Sequence, residues 1–118
     1  MITEDYVSFE TAKLLKEKGF DEYTFSCYSN DGLIGFMEVE TRISDGYQRP
    51  TLQMAMKWLR ENYNIHIEVR YFPMPNIYRY VIIHSPATFE NIDSHPQYFN
   101  TYEEACEAAI KYCLENLI

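Results

Sequence analysis

No aliphatic run in this chain is longer than Val81-Ile82-Ile83, far short of the roughly 20 apolar residues that a membrane-crossing helix requires. No membrane partner is therefore expected. The opening stretch MITEDYVSFE has no lysine or arginine ahead of an apolar core, as a secretory leader would, and carries Glu4 and Asp5 instead. The expected location is cytoplasmic. Basic charge is scarce, with 10 lysines and arginines against 18 aspartates and glutamates and a formal net charge of −8. The densest basic group, Lys13, Lys16 and Lys18, is interleaved with Glu10 and Glu17, so no nucleic-acid partner is expected. Nor do the acidic rows Glu38/Glu40 and Glu103/Glu104/Glu107 run densely enough to imitate a nucleic acid's charge; they suit ordinary solubility.

Cysteine is equally sparse. Cys106 and Cys113 lie seven residues apart on an expected helix, separated by about 10 Å of rise, too far for a disulfide. Cys27 stands alone, and three small apolar thiols in a core suit a reducing compartment. Glycine-rich phosphate loops, a Gly-x-Ser-x-Gly elbow and the helical histidine pair of zinc proteases are all missing. His95 sits beside Asp93 and Ser94 in DSHPQ, but sequence neighbours rarely converge on one substrate atom, and the stretch has the composition of a turn. No catalytic residue and no cofactor are expected.

What the chain does hold is apolar patterning. Hydrophobic residues make up 47% of 118 residues, enough to fold as one globular domain over 1–118. Residues 9 to 18 are expected to be helical, with Ser8 as the cap, Val7 and Ala12 as a staple and Gly19-Phe20 as the stop. Tyr23, Phe25 and Cys27 alternate with polar residues before Asn30-Asp31-Gly32, which predicts a hairpin whose second strand covers 33 to 40. Gly35 in that strand marks a bulge or a close backbone approach. Ser44-Asp45-Gly46 is a turn leading to Pro50 and Thr51 at a helix start. Leu52, Ala55, Met56, Leu59 and Tyr63 form that helix's buried stripe. Met54 and Trp58 extend it, as a wide core face or as an exposed anchor for a partner. Residues 86 to 100 are irregular, held by Phe89, Ile92, Tyr98 and Phe99, or contribute a fifth strand. Thr101 and Glu104 make a capping box for a last helix that buries Ala105, Cys106, Ala109, Ile110, Cys113, Leu114 and Leu117. The fold class expected is α+β, in the order α-ββ-α-ββ-α. Three helices would lie mainly on one face of an antiparallel sheet of four or five strands.

The segment NIHIEVRYFPMPNIYRYVIIHSP reads as a second hairpin, and its register decides which side chains share a face. If Phe72 faces Ile77, Arg70 opposes Arg79, an unfavourable like-charge pair. If Phe72 faces Tyr78, one face collects Ile65, Ile67, Val69, Tyr71, Val81 and Ile83, and the other His66, Glu68, Arg70, Phe72, Tyr78, Tyr80, Ile82 and His84. The second register is the one expected. It opposes His66 to His84 with Glu68 nearby, a set that zinc or iron could use as a remote alternative. It also surrounds Arg70 with Phe72, Tyr78 and Tyr80, a surface for a protein partner or a planar anionic ligand. The expected binding residues are thus Arg70, Phe72, Tyr78, Tyr80, His66 and His84, and Tyr80→Ala with Arg70→Ala is expected to leave the fold intact.

Three segments, YVSFETAKLLKEKGFDE, PTLQMAMKWLRENYNIHIEV and TYEEACEAAIKYCLENLI, resemble small uncharacterised proteins of phages, prophages and mobile elements of anaerobic gut bacteria. That resemblance implies no chemistry and no functional residues. At the level of class it implies a non-enzymatic accessory protein that acts by protein contact, with an unidentified protein or a second copy as partner. The alternative is a protein that binds or sequesters a nucleotide-like small molecule.

Overall fold

A computed structural model describes residues 1–36, 46–90 and 98–118. Helix α1 (Phe9–Glu17) starts where Ser8 accepts the Thr11 N–H on its hydroxyl. It stops at Gly19, whose φ of 95° lets the Phe20 and Gly19 amides reach back to the carbonyls of Leu15 and Lys16, a Schellman closure. Strands β1 (Ser26–Tyr28), β2 (Ile34–Phe36) and β3 (Tyr47–Gln48) form an antiparallel sheet in the order β2-β1-β3. Gly35 sits in register opposite Cys27 with no bulge, and a Cβ there would meet Cys27 Sγ at 3.5 Å, an ordinary contact, so no close backbone approach demands the glycine either. The remainder of the strand expected to 40, with Glu38 and Glu40, lies outside the described residues, as do Ser44 and Asp45. Strand β3 falls between the expected Ser44-Asp45-Gly46 turn and the start of the second helix, where no strand was expected; two residues are too few to show alternation.

Helix α2 (Leu52–Tyr63) is capped by Thr51, which accepts from Met54 N–H, and is closed by Asn64 in the left-handed region at φ 55°. Leu52, Ala55, Met56 and Leu59 are buried as expected, and Trp58 joins them at 7% exposure, edge-on to Phe20 and Tyr63 at 5.4 and 5.3 Å. Met54 alone looks outward. Strands β4 (His66–Phe72), β5 (Ile77–His84) and β6 (Ala87–Glu90) make a second antiparallel sheet in chain order. Of the segment 86–100, residues 91–97, including Ile92, Asp93, Ser94 and His95, lie outside the described residues. Helix α3 (Tyr102–Asn116) starts at Thr101, which accepts from Glu104 N–H. The Glu104 carboxylate takes the Asn100 N–H at 3.4 Å, one residue earlier than a full capping box would have it.

The fold is α+β, but its strands form two three-stranded sheets and not one sheet of four or five. Each sheet is aromatic on its inner face and rests on a different helix. Phe9 of α1 meets Tyr28 and Tyr47 of the first sheet at 5.5 and 5.7 Å. Tyr112 of α3 meets Tyr80 and Phe89 of the second at 6.5 and 5.9 Å. Helix α3 therefore packs against the second sheet as well as against α1 and α2, which is why its buried band is wide. One cluster of buried side chains joins α1, α2, α3 and both sheets.

The register of the second hairpin corrects the expectation. Phe72 pairs with Ile77, Tyr71 with Tyr78, Arg70 with Arg79 and His66 with Ile83. Two local features outweigh the like-charge pair. Asn76, at φ 78°, donates its N–H to Phe72 O at 3.0 Å and closes a four-residue loop that sets Phe72 against Ile77. This register also turns Tyr80 and Ile82 toward the core, where they are 2% and 0% exposed. Arg70 and Arg79 both face solvent, where repulsion is screened. Each finds its own partner, Glu68 at 3.3 Å and the Phe72 ring at 5.8 Å.

Candidate functional site

The register disperses the residues expected to bind. Tyr80 shares the Val69 face beneath α3 and is core. Tyr78 is half-buried, exchanges backbone hydrogen bonds with Phe99 at 2.8 and 2.9 Å and holds its ring 5.1 Å from Tyr71. His84 is half-buried opposite Ala87. Arg70, Phe72 and His66 remain together on the opposite, outer face, where His66 Nε2 is 3.0 Å from Asn64 Oδ1. Since His66 lies opposite Ile83, the neighbouring His84 points to the other side of the sheet, and the His66, Glu68, His84 metal set does not assemble. Among the described residues no group of three metal-ligating side chains does.

A different surface is built around Tyr6 and Arg49. The N-terminal arm is stitched to the start of α2, because Val7 N–H donates to Pro50 O at 3.0 Å and Leu52 N–H to Asp5 O at 2.9 Å. Tyr28 donates its hydroxyl to Val7 O at 2.6 Å. This pairing lays the Tyr6 ring 4.0 Å from the Arg49 guanidinium, which has Tyr28 behind it at 5.4 Å. Arg49 Nη1 donates to Ser26 Oγ at 3.0 Å, and the backbone N–H of Arg49 is held by Ser26 O and Thr24 Oγ1. The arginine is thus a fixed, stacked ridge and not a mobile charge.

On one side of the ridge lies an apolar cleft of about 120 Å³ formed by Phe25, Phe36, Pro50 and Met54 with Tyr6. Phe36 projects from the same face of β2 as its neighbour Ile34, which pairs with the core residue Tyr28, yet Phe36 is 76% exposed and Phe25 71%. Ile34 is itself 53% exposed, so both outward residues of this short strand on that face stand largely in water. On the other side lies an open groove of about 640 Å³ with Leu52, Phe99 and Ala108 in its floor. Glu4 and Asp5 line it from the N-terminal arm, and Glu103, Glu104 and Glu107 from α3. Glu107 is tethered, accepting from Thr11 Oγ1 at 2.6 Å and Ser8 N–H at 3.1 Å. The ion pairs between described residues, Arg70 with Glu68 and Lys111 with Glu10, include none of the groove's carboxylates.

The cysteines offer no competing chemistry. Burial pushes the Cys106 thiol up to about 11 and the Cys113 thiol up to about 12, so both are held as unreactive thiols, and Cys27 is half-buried in β1. Sequence reasoning missed Tyr6, Arg49, Phe25 and Phe36. One signal was available: Leu33, Ile34 and Phe36 break the polar-apolar alternation of a short exposed strand, and Met54 lies off its helix's buried stripe. No family model matches the chain, and no curated protein or solved structure matches it significantly. No helix of the described residues is long and apolar enough to cross a membrane.

Proposed function

We propose that this is a non-enzymatic accessory protein, of the kind its resemblance to mobile-element proteins implies, that acts through contact with another protein at the Tyr6–Arg49 surface. One observation carries the reading: Phe25, Phe36, Met54 and Tyr6, all substantially exposed, converge on a single cleft. Contiguous apolar side chains left in water, rimmed by polar ones, favour association, and aromatic residues with a stacked arginine are the side chains that dominate protein interfaces. The nucleotide-binding alternative loses its geometry, since Arg70 and Tyr80 project from opposite faces of the hairpin, and the groove beside Arg49 is lined with carboxylates that repel phosphates.

The test is a comparison of wild type with Phe36→Ser combined with Met54→Ser, in affinity capture from the cells that produce the protein. Both side chains are exposed, so the variant is expected to melt within a few degrees of wild type and to lose its co-purifying protein. An identical set of captured proteins from wild type and variant would contradict the proposal.

A further inference from the structure

Resting on that protein-contact reading, we infer that the partner presents an extended cationic segment: one large apolar side chain seated in the cleft, followed by lysines or arginines lying in the groove. The two compartments share Tyr6 and Arg49 as a common wall, so one strand of peptide crossing that ridge reaches both. The cleft's volume of about 120 Å³ suits one ring or one branched aliphatic group, since apolar cavities of about 150 Å³ accept a benzene molecule. The groove is chemically the opposite. Its carboxylates approach from two walls, Glu4 and Asp5 on one and Glu103, Glu104 and Glu107 on the other.

Glu103 and Glu104 also have a local role, offsetting the positive end of α3. Glu4 and Asp5, on the non-helical arm, have no such role. Arg49 lines the groove too and brings one positive charge to it against five carboxylates, while its guanidinium stacks on Tyr6 and Tyr28 and donates to Ser26. A cationic side chain laid between the walls gains from both, and its aliphatic stem covers Leu52, Phe99 and Ala108. The chain's net charge of −8 draws such a segment in and repels polyanions. It opposes a second copy docking at this groove as well.

Selection from a random peptide library, with the full-length protein as bait, reads this out without knowledge of the natural partner. The enriched pool is expected to have a positive net charge and one Phe, Trp, Leu or Met a few residues from paired Lys or Arg. Single peptides from it should weaken about tenfold as salt is raised from low to well above physiological strength. Bait carrying Glu4→Lys with Glu103→Lys should lose the charge bias and keep the anchor, whereas Phe36→Ser bait should lose the anchor and keep the charge bias. An uncharged or acidic pool, no enrichment at all, or enrichment indifferent to these substitutions would overturn the inference. A pool that keeps a Phe36-dependent anchor without any cation preference would overturn the cationic segment alone and leave the protein-contact reading standing. Self-association abolished by Phe36→Ser would identify a second copy as the occupant, also against the inference.

Discussion

Tyr80 separates the two hairpin registers most sharply, because one places it in water and the other in the core. It is 2% exposed, with its ring centroid 6.0 Å from Phe99 and 6.5 Å from Tyr112. An aromatic side chain buries about 150–250 Å², worth about 4–6 kcal/mol at roughly 25 cal/mol per Å². Truncation keeps the Cβ, so Tyr80→Ala is expected to cost about 4 kcal/mol, within the range for aromatic-to-alanine changes in cores. That is a large share of the roughly 5–15 kcal/mol that holds a domain of this size together, and it corresponds to a melting temperature lower by about 15 °C. Arg70→Ala, whose side chain is 55% exposed, should change stability by less than about 0.5 kcal/mol. Urea unfolding followed by Trp58 fluorescence measures both, since this lone tryptophan is buried between Phe20 and Tyr63. The double substitution is therefore expected to fail as a surface probe. Matching urea midpoints for Tyr80→Ala and Arg70→Ala would refute the reasoning and return Tyr80 to the outer face.

Gly46, at φ 94°, is the glycine whose replacement the first sheet cannot absorb: a Cβ there would lie 2.4 Å from Tyr28 O. Gly46→Ala should cost about 3 kcal/mol or more in the same urea assay, combining strain with a backbone clash, whereas Gly19→Ala, at φ 95° with no atom within 4 Å, should cost only about 1 kcal/mol. For the thiols, native protein at pH 8 should react with iodoacetamide at Cys27 alone, read by mass spectrometry, because Cys106 and Cys113 ionise only at about 11 and about 12. Raised folded values for an acid mean that the unfolded chain ionises first. The stability these thiols contribute is therefore fully present below about pH 9, where unfolded thiols titrate, and declines as pH rises from there toward 11 to 12. Equal labelling of all three cysteines at pH 8 would contradict that burial.

Much of the local structure was legible in the residues. Ser8, Thr51 and Thr101 each accept an amide of their own helix's first turn, and Gly19 supplies the left-handed closure that Phe20 needs. The outward turn of Met54 and the inward turn of Trp58 were not legible, because both lie at the edge of the same apolar stripe and only the position of Phe20 and Tyr63 tells them apart. The proposed surface was legible only as an irregularity in β2 and in the place of Met54 off its helix's stripe, since its parts come from residues 4–6, 25, 36, 49, 54 and 103–107, which no sequence window holds together.

By itself the sequence determined whatever a residue settles with its nearest neighbours along the chain: three capped helices, their apolar faces, the first hairpin's turn, the acidic balance and the seclusion of the helix cysteines. Tertiary structure alone decided that the strands divide into two sheets, that Tyr80 faces α3, and that Tyr6 stacks on Arg49 between an apolar cleft and an acidic groove. The physical reason lies in IYRYVIIH, where both faces of the strand are apolar enough to be buried. Its pattern could not choose a side, and the choice fell to the Asn76 turn and to the core volume that Tyr80 and Ile82 fill.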